Sequence, residues 1–232
     1  MDERERNRRT RALIGDEGIR ILSEKSVAVF GLGGVGSACA EALARSGIGT
    51  LALVDFDTVE LSNLNRQLVA TTHTLGMNKT DAMRERVLAV SPQTAVICHN
   101  IRYTPETSQA VDLSKYDFVI DCIDMVGAKT EIAAQCLSLN LPEISCMGVG
   151  NRFDPLLLRI GDIKDAVNDP LASAVRRSLR KHNIAALRVL YSEEPPVRTS
   201  EGIVGSSAFV PPAAGLAMAG FAVRNMLNLS CK

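Results

Sequence analysis

The stretch VAVFGLGGVGSACAEALAR, residues 27–45, determines how the rest of the chain is interpreted. Its first four residues are all apolar, as expected of a parallel strand that is buried on both faces. Gly31, Gly33 and Gly36 follow in a G-x-G-x-x-G pattern. This spacing allows a tight turn, close approach of a phosphate to the backbone, and close packing of a helix on the sheet. Residues 38–45 favour a helix whose positive N-terminal end faces the bound anion.

An acidic residue ends the second predicted strand, at the position where nucleotide-binding strand–helix–strand units carry one. A second apolar strand is predicted over residues 50–55, and it ends in Asp55, 19 residues after Gly36. In nucleotide-binding folds an acid at this distance binds a ribose hydroxyl. A glycine-rich turn without a ligand is the alternative. The strand, helix and acid together favour a nucleotide site.

Strand and helix patterns alternate through residue 147 and become less regular beyond it. Further helices are predicted over residues 16–25, 79–90, 126–139, 170–182 and 212–229, and further strands over residues 94–98, 116–121, 143–147, 156–160 and 186–191. Residues 192–207 are predicted to form a polar loop. The prediction is an α/β fold with a Rossmann-like, doubly wound, mainly parallel sheet and a C-terminal α/β extension. We expect one domain over residues 1–232, with a nucleotide-binding core over residues 1–150 and a substrate and dimerisation part over residues 151–232.

Composition limits the possible functions. The formal net charge is zero, so nucleic-acid binding requires local basic patches. Residues 2–11 are mostly charged and no apolar run approaches 18 residues, so we expect no signal peptide, no membrane segment and a cytoplasmic protein.

The six cysteines include no C-x-x-C pair, which argues against a paired-cysteine zinc site and against a disulfide framework. Cys146, where a strand meets a glycine-rich turn, is the thiol of most interest, although an inert buried thiol is favoured.

Polar side chains follow the predicted strand ends. Asp55 and the pair Asp121 and Asp124 are expected to meet at the carboxyl edge of the sheet, where α/β proteins bind ligands. Ser62 is predicted to cap a short helix that carries Asn63, Arg66 and Gln67, and Lys79 opens the next helix. Two cations and an amide suit a triphosphate better than a dinucleotide. Asp124 is a candidate Mg²⁺ ligand. Alternatively, Arg66 and Lys79 are solvated surface charges and Asp124 is a helix cap.

Several motifs together resemble the E1-like (ThiF-type) adenylating superfamily, which includes the sulfur-carrier and ubiquitin-activating enzymes. The motifs are GLGGVG at residues 31–36, VDFD at 54–57, SNLNRQ at 62–67, G-x-x-K at 76–79 and DCID at 121–124. Within that superfamily, ALARSGIG at 42–49, MGVGNRFDP at 147–155, DPL at 169–171 and YSEEP at 191–195 resemble the tRNA threonylcarbamoyladenosine dehydratase branch. The resemblance covers nearly the whole chain.

The resemblance implies a role for each matching residue. It makes Asp55 the ribose ligand, Asn63, Arg66 and Lys79 phosphate contacts, Asp124 the metal-side carboxylate, and Arg9 an arginine finger that reaches the ATP of a partner subunit. The nucleotide-binding set is then Gly31, Gly33, Gly34, Gly36, Asp55, Asp57, Asn63, Arg66, Gln67, Lys79 and Asp124, and the catalytic set is Arg9, Arg66, Lys79 and Asp124. Implied cofactors are ATP and Mg²⁺, with a monovalent cation as a further candidate.

The implied activity is an ATP-dependent dehydration of threonylcarbamoyladenosine in tRNA, which closes a ring through carboxylate activation, either by adenylation or by phosphorylation. A sulfur-transfer protein is a further candidate partner. The runner-up is an activator of a ubiquitin-like sulfur carrier, which would use the same adenylation site. An NAD-binding redox protein or sensor is the third hypothesis. The chain lacks a zinc ribbon motif, and its loop at residues 192–207 contains no cysteine, which argues against a covalent thioester step.

Two surfaces are predicted for partners. Arg176, Arg177, Arg180 and Lys181 share one side of a helix and form a candidate track for the tRNA backbone, with a solvated helix face as the alternative. Leu216, Ala219, Val223 and Leu227 recur at helical spacing and are a candidate homodimer face, although a core helix has the same pattern.

Overall fold

A single seven-stranded sheet forms the centre of the computed structural model, which describes residues 3–199 and 202–229. Its strand order is β3-β2-β1-β4-β5-β7-β6. All neighbouring strands are parallel except β6 and β7, which form an antiparallel pair at one edge. The predicted mainly parallel, doubly wound sheet is confirmed. Asp2, Cys231 and residues 200–201 of the predicted loop lie outside the described residues.

The elements alternate along the chain. The strands are β1 Ser26–Phe30, β2 Thr50–Val54, β3 Ala95–His99, β4 Phe118–Asp121, β5 Glu143–Cys146, β6 Leu158–Asp162 and β7 Arg188–Ser192. The helices are α1 Glu3–Arg6, α2 Arg8–Ser23, α3 Gly34–Ser46, α4 Lys79–Val90, α5 Val126–Leu139, α6 Pro170–Lys181 and α7 Val210–Met226. A short 3-10 helix, Leu61–Asn63, follows β2.

Some predicted boundaries were wrong. The predicted helix at residues 16–25 is the part of α2 that follows a break at Gly15, where φ is 72° and ψ is 178°, but it ends at Ser23. A helical segment over residues 8–14, which was not predicted, precedes the break. The predicted strand at 156–160 begins at Leu158, because Asp154 caps a 3-10 turn over Pro155–Leu157. The 3-10 helix after β2 is capped by Glu60 and not by Ser62, since the Glu60 N–H donates to Asn63 Oδ1 at 3.1 Å.

Helix α7 packs against α3 along a close contact. An added Cβ on Gly215 of α7 would lie 2.1 Å from the Val35 carbonyl oxygen of α3, so only glycine permits this approach. The predicted dimer stripe is not one free face of α7, because Ala219 is buried in the core whereas Leu216 is 57% exposed. The buried face of α7 instead carries Val210, Ala214, Met218, Ala222 and Met226.

Elements from the N-terminal and C-terminal parts of the sequence pack together in one apolar cluster. Strand β7 pairs with β5, and Leu190 of β7 and Met218 of α7 lie in the same apolar cluster as Val29 of β1. A second cluster, on the other face of the sheet, lies under α5 and includes Phe30 and Tyr103. Among residues 3–199 and 202–229, no helix combines the length and apolarity needed to cross a membrane.

Glu143 generates a prediction about pH. This half-buried residue begins β5, and its Oε2 is buried without a hydrogen-bond partner among the residues that the structure describes. Burial, with a smaller contribution from Asp121, raises the pKa of Glu143 to about 8. The folded state therefore holds a proton that the unfolded chain has released above its ordinary pKa of about 4.3, so stability decreases as pH rises from about 5 to 8.

We expect Glu143→Gln to flatten this pH dependence and to stabilise the protein at pH 8 by roughly 1–2 kcal/mol. Urea unfolding at pH 5, 6.5 and 8 measures the effect. Glu85→Gln, which removes an exposed carboxylate of α4, is the control. Parallel pH profiles for wild type and Glu143→Gln would contradict the assignment.

Candidate nucleotide-binding site

A cavity of about 460 Å³ lies at the carboxyl edge of β1, β2 and β4. Polar residues and backbone from the glycine-rich turn form one part of its wall, and apolar residues form another. The polar and glycine lining is Gly31, Gly33, Gly34, Asp55, Asp57, Glu60, Ser62, Asn63, Arg66, Gln67, Lys79 and Asp124. The remaining lining residues are Val54, Phe56, Ile101, Tyr103, Cys122, Ile123 and Met125.

The glycine-rich turn brings the backbone to the cavity wall. Gly31 has φ 81°, in the left-handed region that favours glycine. An added Cβ on Gly36 would lie 1.7 Å from the Gly31 carbonyl oxygen, so Gly36 serves helix packing and does not line the cavity. At Gly33 the nearest atom to an added Cβ is Gln67 Nε2 at 3.9 Å, so the backbone there is open to a ligand.

Asp55 connects the second strand to the glycine-rich turn. Its Oδ2 accepts the Leu32 N–H at 2.6 Å, and its Oδ1 accepts the Asp57 N–H at 2.8 Å. The side chain is buried at the cavity wall. Each carboxylate oxygen can accept more than one hydrogen bond, so Asp55 holds the turn in place and still has capacity for a ribose hydroxyl.

The cationic wall is built by Lys79 and Arg66. The Lys79 side chain is only 7% exposed, and its Nζ lies 2.8 Å from Asp57 Oδ2. Arg66 Nη1 donates to the Ser62 carbonyl at 2.9 Å and to Asn65 Oδ1 at 2.7 Å. These bonds turn Arg66 along the cavity rather than leaving it as a freely solvated charge. A buried ammonium and an oriented guanidinium suit a polyphosphate.

Two polar groups in the wall are available to a ligand. Gln67 Oε1 is buried without a hydrogen-bond partner among the described residues. Within residues 3–199 and 202–229, Asp124 has no ion pair or hydrogen bond and lines the cavity directly after β4. It is not the helix cap that the alternative hypothesis required, because Met125 occupies that position and makes no side-chain capping bond.

The structure brings together every predicted site residue except Gly36 and Arg9. Arg9 is exposed and lies outside the cavity, on helix α2. Asp121 was wrongly placed at the ligand edge, because its side chain is completely buried and paired with Lys129 Nζ at 3.0 Å. Lys129 was missed by the sequence analysis. Its helical position reveals nothing about which way its side chain points.

Cys122 is the cysteine that lines the cavity among the five that the structure describes. The five described cysteines are free, and Cys39, Cys136 and Cys146 are buried. Burial raises the pKa of the Cys146 thiol to about 12, so it stays protonated at neutral pH and is a poor nucleophile. The interpretation of Cys146 as an inert buried thiol agrees with this environment.

The candidate tRNA track on α6 is narrower than the sequence suggested. Arg176 Nη1 donates to the Ile163 and Ala166 carbonyls at 3.0 and 2.9 Å, so this residue supports the preceding turn. Arg177, Arg180 and Lys181 are exposed. None of these three forms an ion pair with any residue that the structure describes.

The fold and the cavity define a Rossmann-like α/β protein with a polar, glycine-lined cavity at the carboxyl edge of its sheet. A model of the ThiF family matches residues 5–224. The chain belongs to the ThiF family, and the resemblance found in the sequence is confirmed.

Several similar proteins are named tRNA threonylcarbamoyladenosine dehydratase, and others are named adenylyltransferases. The tRNA threonylcarbamoyladenosine dehydratase of Bacillus subtilis (strain 168) is 40% identical over 238 residues, which cover 95% of this chain and 94% of that protein. The crystal structure of E. coli tRNA N6-threonylcarbamoyladenosine dehydratase with AMP is 29% identical, has a TM-score of 0.92, and is matched over 97% of this chain and 95% of that chain. The same E. coli enzyme with ATP gives 30% identity and a TM-score of 0.89 at the same coverage.

Proposed function

We propose that this protein is an ATP-dependent dehydratase that cyclises N6-threonylcarbamoyladenosine in tRNA. The observation that carries the proposal is the convergence of Asn63, Arg66, Lys79 and Asp124 on one cavity beside the glycine-rich turn. The name of the Bacillus subtilis relative, which matches nearly the full length of both chains, supplies the substrate. A tRNA substrate agrees with the predicted cytoplasmic location.

The proposed chemistry must activate a carboxylate, because a free carboxylate is a poor electrophile. A free carboxylate does not accept a nucleophile readily, because oxide is a poor leaving group. In the proposed first step a carboxylate oxygen attacks the α-phosphorus of ATP, and pyrophosphate leaves. A neighbouring nucleophile of the same modification then attacks the carbonyl of this mixed anhydride, AMP leaves with the former carboxylate oxygen, and one proton is released. The AMP complex of the E. coli relative supports this route over transfer of the terminal phosphoryl group.

The protein positions the reactants of these two steps and neutralises the charge that develops in them. The glycine-rich turn and the N-terminal end of α3 bind the phosphates through backbone N–H groups, and Asp55 holds the ribose. Lys79, Arg66 and Asn63 neutralise the charge that develops on the transferring phosphorus. Ring closure is intramolecular, so it already benefits from proximity and needs little further catalysis. We assign this work to residues 1–150, and substrate binding and dimerisation to residues 151–232.

The carboxylates of the cavity fit a Mg²⁺ ion that is bound mainly by the phosphate oxygens of the nucleotide. Mg²⁺ usually takes one or two carboxylates together with phosphate oxygens and water, and Asp124 is a cavity carboxylate without an ion pair or hydrogen bond to any residue that the structure describes. The metal would supply charge neutralisation on the phosphates. Asp57 is held by Lys79 and is therefore a weaker candidate ligand. The monovalent cation stays a prediction of the resemblance.

The proposal is tested by pyrophosphate exchange. The protein is incubated with ATP, radiolabelled pyrophosphate and either tRNA carrying threonylcarbamoyladenosine or a ubiquitin-like sulfur carrier with a free C-terminal carboxylate. We expect exchange and ring formation only with the modified tRNA. Exchange with the carrier alone would instead assign the protein as a sulfur-carrier activator, which would then require a sulfur-transfer partner.

Lys79→Ala and Arg66→Ala test the phosphate contacts. We expect each variant to lose roughly two orders of magnitude in turnover, about 3 kcal/mol, because these cations act more on the transition state than on bound ATP. ATP affinity and melting temperature are measured in parallel, since Lys79 is buried. Lys164→Ala, an exposed lysine outside the cavity, is the control. Near-normal turnover in both site variants would remove the proposed roles.

We propose further that two chains form a homodimer in which Arg9 reaches the ATP of the partner subunit. Arg9 is exposed and does not line the cavity of its own chain, as a contact made across a dimer requires. Large apolar side chains remain exposed near α7, including Leu216 and the edge-to-face pair Phe153 and Phe209, whose ring centroids are 5.4 Å apart. Exposed apolar groups of this size are typical of protein–protein contact surfaces.

Subunit mixing tests this arrangement. Arg9→Ala and Lys79→Ala chains are each expected to be inactive, and a mixed dimer has one site with both lesions and one with neither. After random exchange, activity should return to roughly a quarter of wild type. Size-exclusion chromatography of tagged chains checks that exchange has taken place. A mixture that exchanges subunits but stays inactive would mean that Arg9 does not act in trans.

The proposed tRNA contact is the exposed part of the basic helix face, Arg177, Arg180 and Lys181. We expect Arg177→Glu combined with Arg180→Glu to weaken tRNA binding and to lower the slope of log affinity against log salt by about two, with ATP affinity unchanged. The control is Arg84→Glu with Lys115→Glu, which makes the same charge change on other exposed residues. An equal effect of the two double variants would show that only the total charge matters.

A further inference from the structure

Arg102 joins two sides of the nucleotide cavity. Its guanidinium carbon lies 5.1 Å from the centroid of the Phe56 ring, and its Nη2 lies 3.5 Å from Met125 Sδ. Phe56 follows β2, whereas Met125 follows β4. Strand β1, which carries the glycine-rich turn, lies between these two strands in the sheet. Arg102 therefore connects two wall residues from opposite sides of the turn.

The neighbours of Arg102 fix its backbone. Ile101 and Tyr103 both line the cavity, and Tyr103 is 1% exposed. The Tyr103 ring packs edge-to-face on Phe30 of β1, with centroids 4.7 Å apart. Arg102 itself is exposed, and no carboxylate among residues 3–199 and 202–229 pairs with it. Its two described side-chain contacts are the aromatic ring and the thioether.

These contacts lie at the apolar part of the cavity. Ile101, Ile123 and Met125 line the cavity and pack against the apolar cluster that contains Phe30 and Tyr103. Phe56 also lines the cavity and, like Met125, contacts Arg102. A purine base stacks on aromatic and apolar side chains, so the apolar part suits the base of the nucleotide. Phe56 is 45% exposed, which leaves its ring with few neighbours to fix it. A guanidinium over one face of the ring supplies such a neighbour.

We propose that Arg102 is a positioning residue that holds Phe56 and Met125 in place over the base of the bound nucleotide. The proposal rests on the proposed function in one respect, namely that the ligand is ATP. It assigns Arg102 no contact with the phosphates or with the reacting atoms. Its effect is therefore expected in nucleotide affinity and not in the rate of the bound complex.

The first experiment compares ATP and AMP binding to wild type and Arg102→Ala by isothermal titration calorimetry. An exposed cation–π contact corresponds to a loss of about 2- to 5-fold in affinity. We expect the same factor for ATP and for AMP, because the base is common to both. We expect Arg102→Lys, which keeps a cation, to recover part of the loss. Arg84→Ala, an exposed arginine outside the cavity, should bind both nucleotides like wild type.

The second experiment is a double-mutant cycle with Phe56→Leu. If Arg102 acts through the aromatic ring, Arg102→Ala should cause little further loss in the Phe56→Leu background. A larger loss for ATP than for AMP that persists in this background would mean direct contact with the phosphates, and would overturn the proposal. Unchanged affinity of Arg102→Ala would also overturn it. Absence of ATP binding by the wild type would instead overturn the proposed function.

Discussion

The buried ion pair between Lys129 and Asp121 is the constraint on which the nucleotide site depends. Lys129 Nζ bonds Asp121 Oδ2, Ser145 Oγ and the Cys146 carbonyl, so its three donors are satisfied without water. Asp121 Oδ1 accepts the Ile123 N–H at 3.0 Å, at the start of the turn that carries Asp124. The loss of one partner from such a pair leaves a buried charge and costs about 3–5 kcal/mol. The pair therefore fixes one position of α5 relative to β4 and β5, and with it one wall of the cavity.

The other wall depends on close backbone packing instead of charge. Gly36 brings α3 against the turn at Gly31, and Gly215 brings α7 against α3. Pro211, at the start of α7, lies 2.9 Å from the position of an added Cβ on Gly34. The C-terminal segment thus supports the glycine-rich turn, although Pro211 lies 177 residues after Gly34 in the sequence. A phosphate site formed mainly by backbone depends on such support, since few of its contacts come from adjustable side chains.

The sequence predicted those features that depend on local pattern and failed for those that depend on packing. The strand–turn–helix unit around Gly31, the helix at α5 and the cavity position of Asp124 follow from spacing along the chain. Asp121 and Lys129 do not, because the sequence contains no signal that places an acid and a lysine together in the core. The contact between Phe56 and Arg102 was missed for a related reason. Phe56 lies within the VDFD motif, but no pattern in the sequence indicates that Arg102, from a distant connection, packs on its ring. The predicted stripe on α7 failed because helical spacing identifies an apolar face without identifying what covers it.

The direction of the N-terminal arm depends on the backbone conformation of Gly15. Its φ of 72° with ψ of 178° belongs to a region that is essentially restricted to glycine, yet an added Cβ there would meet no atom within 4 Å. Torsion alone, and not crowding, demands glycine at this position. The direction of residues 8–14 therefore depends on the torsion angles of Gly15. A list of atomic contacts does not reveal this dependence, because an added Cβ at Gly15 would touch nothing. Any L-residue substituted for Gly15 would have to adopt a strained backbone or change the angle between the two segments of α2.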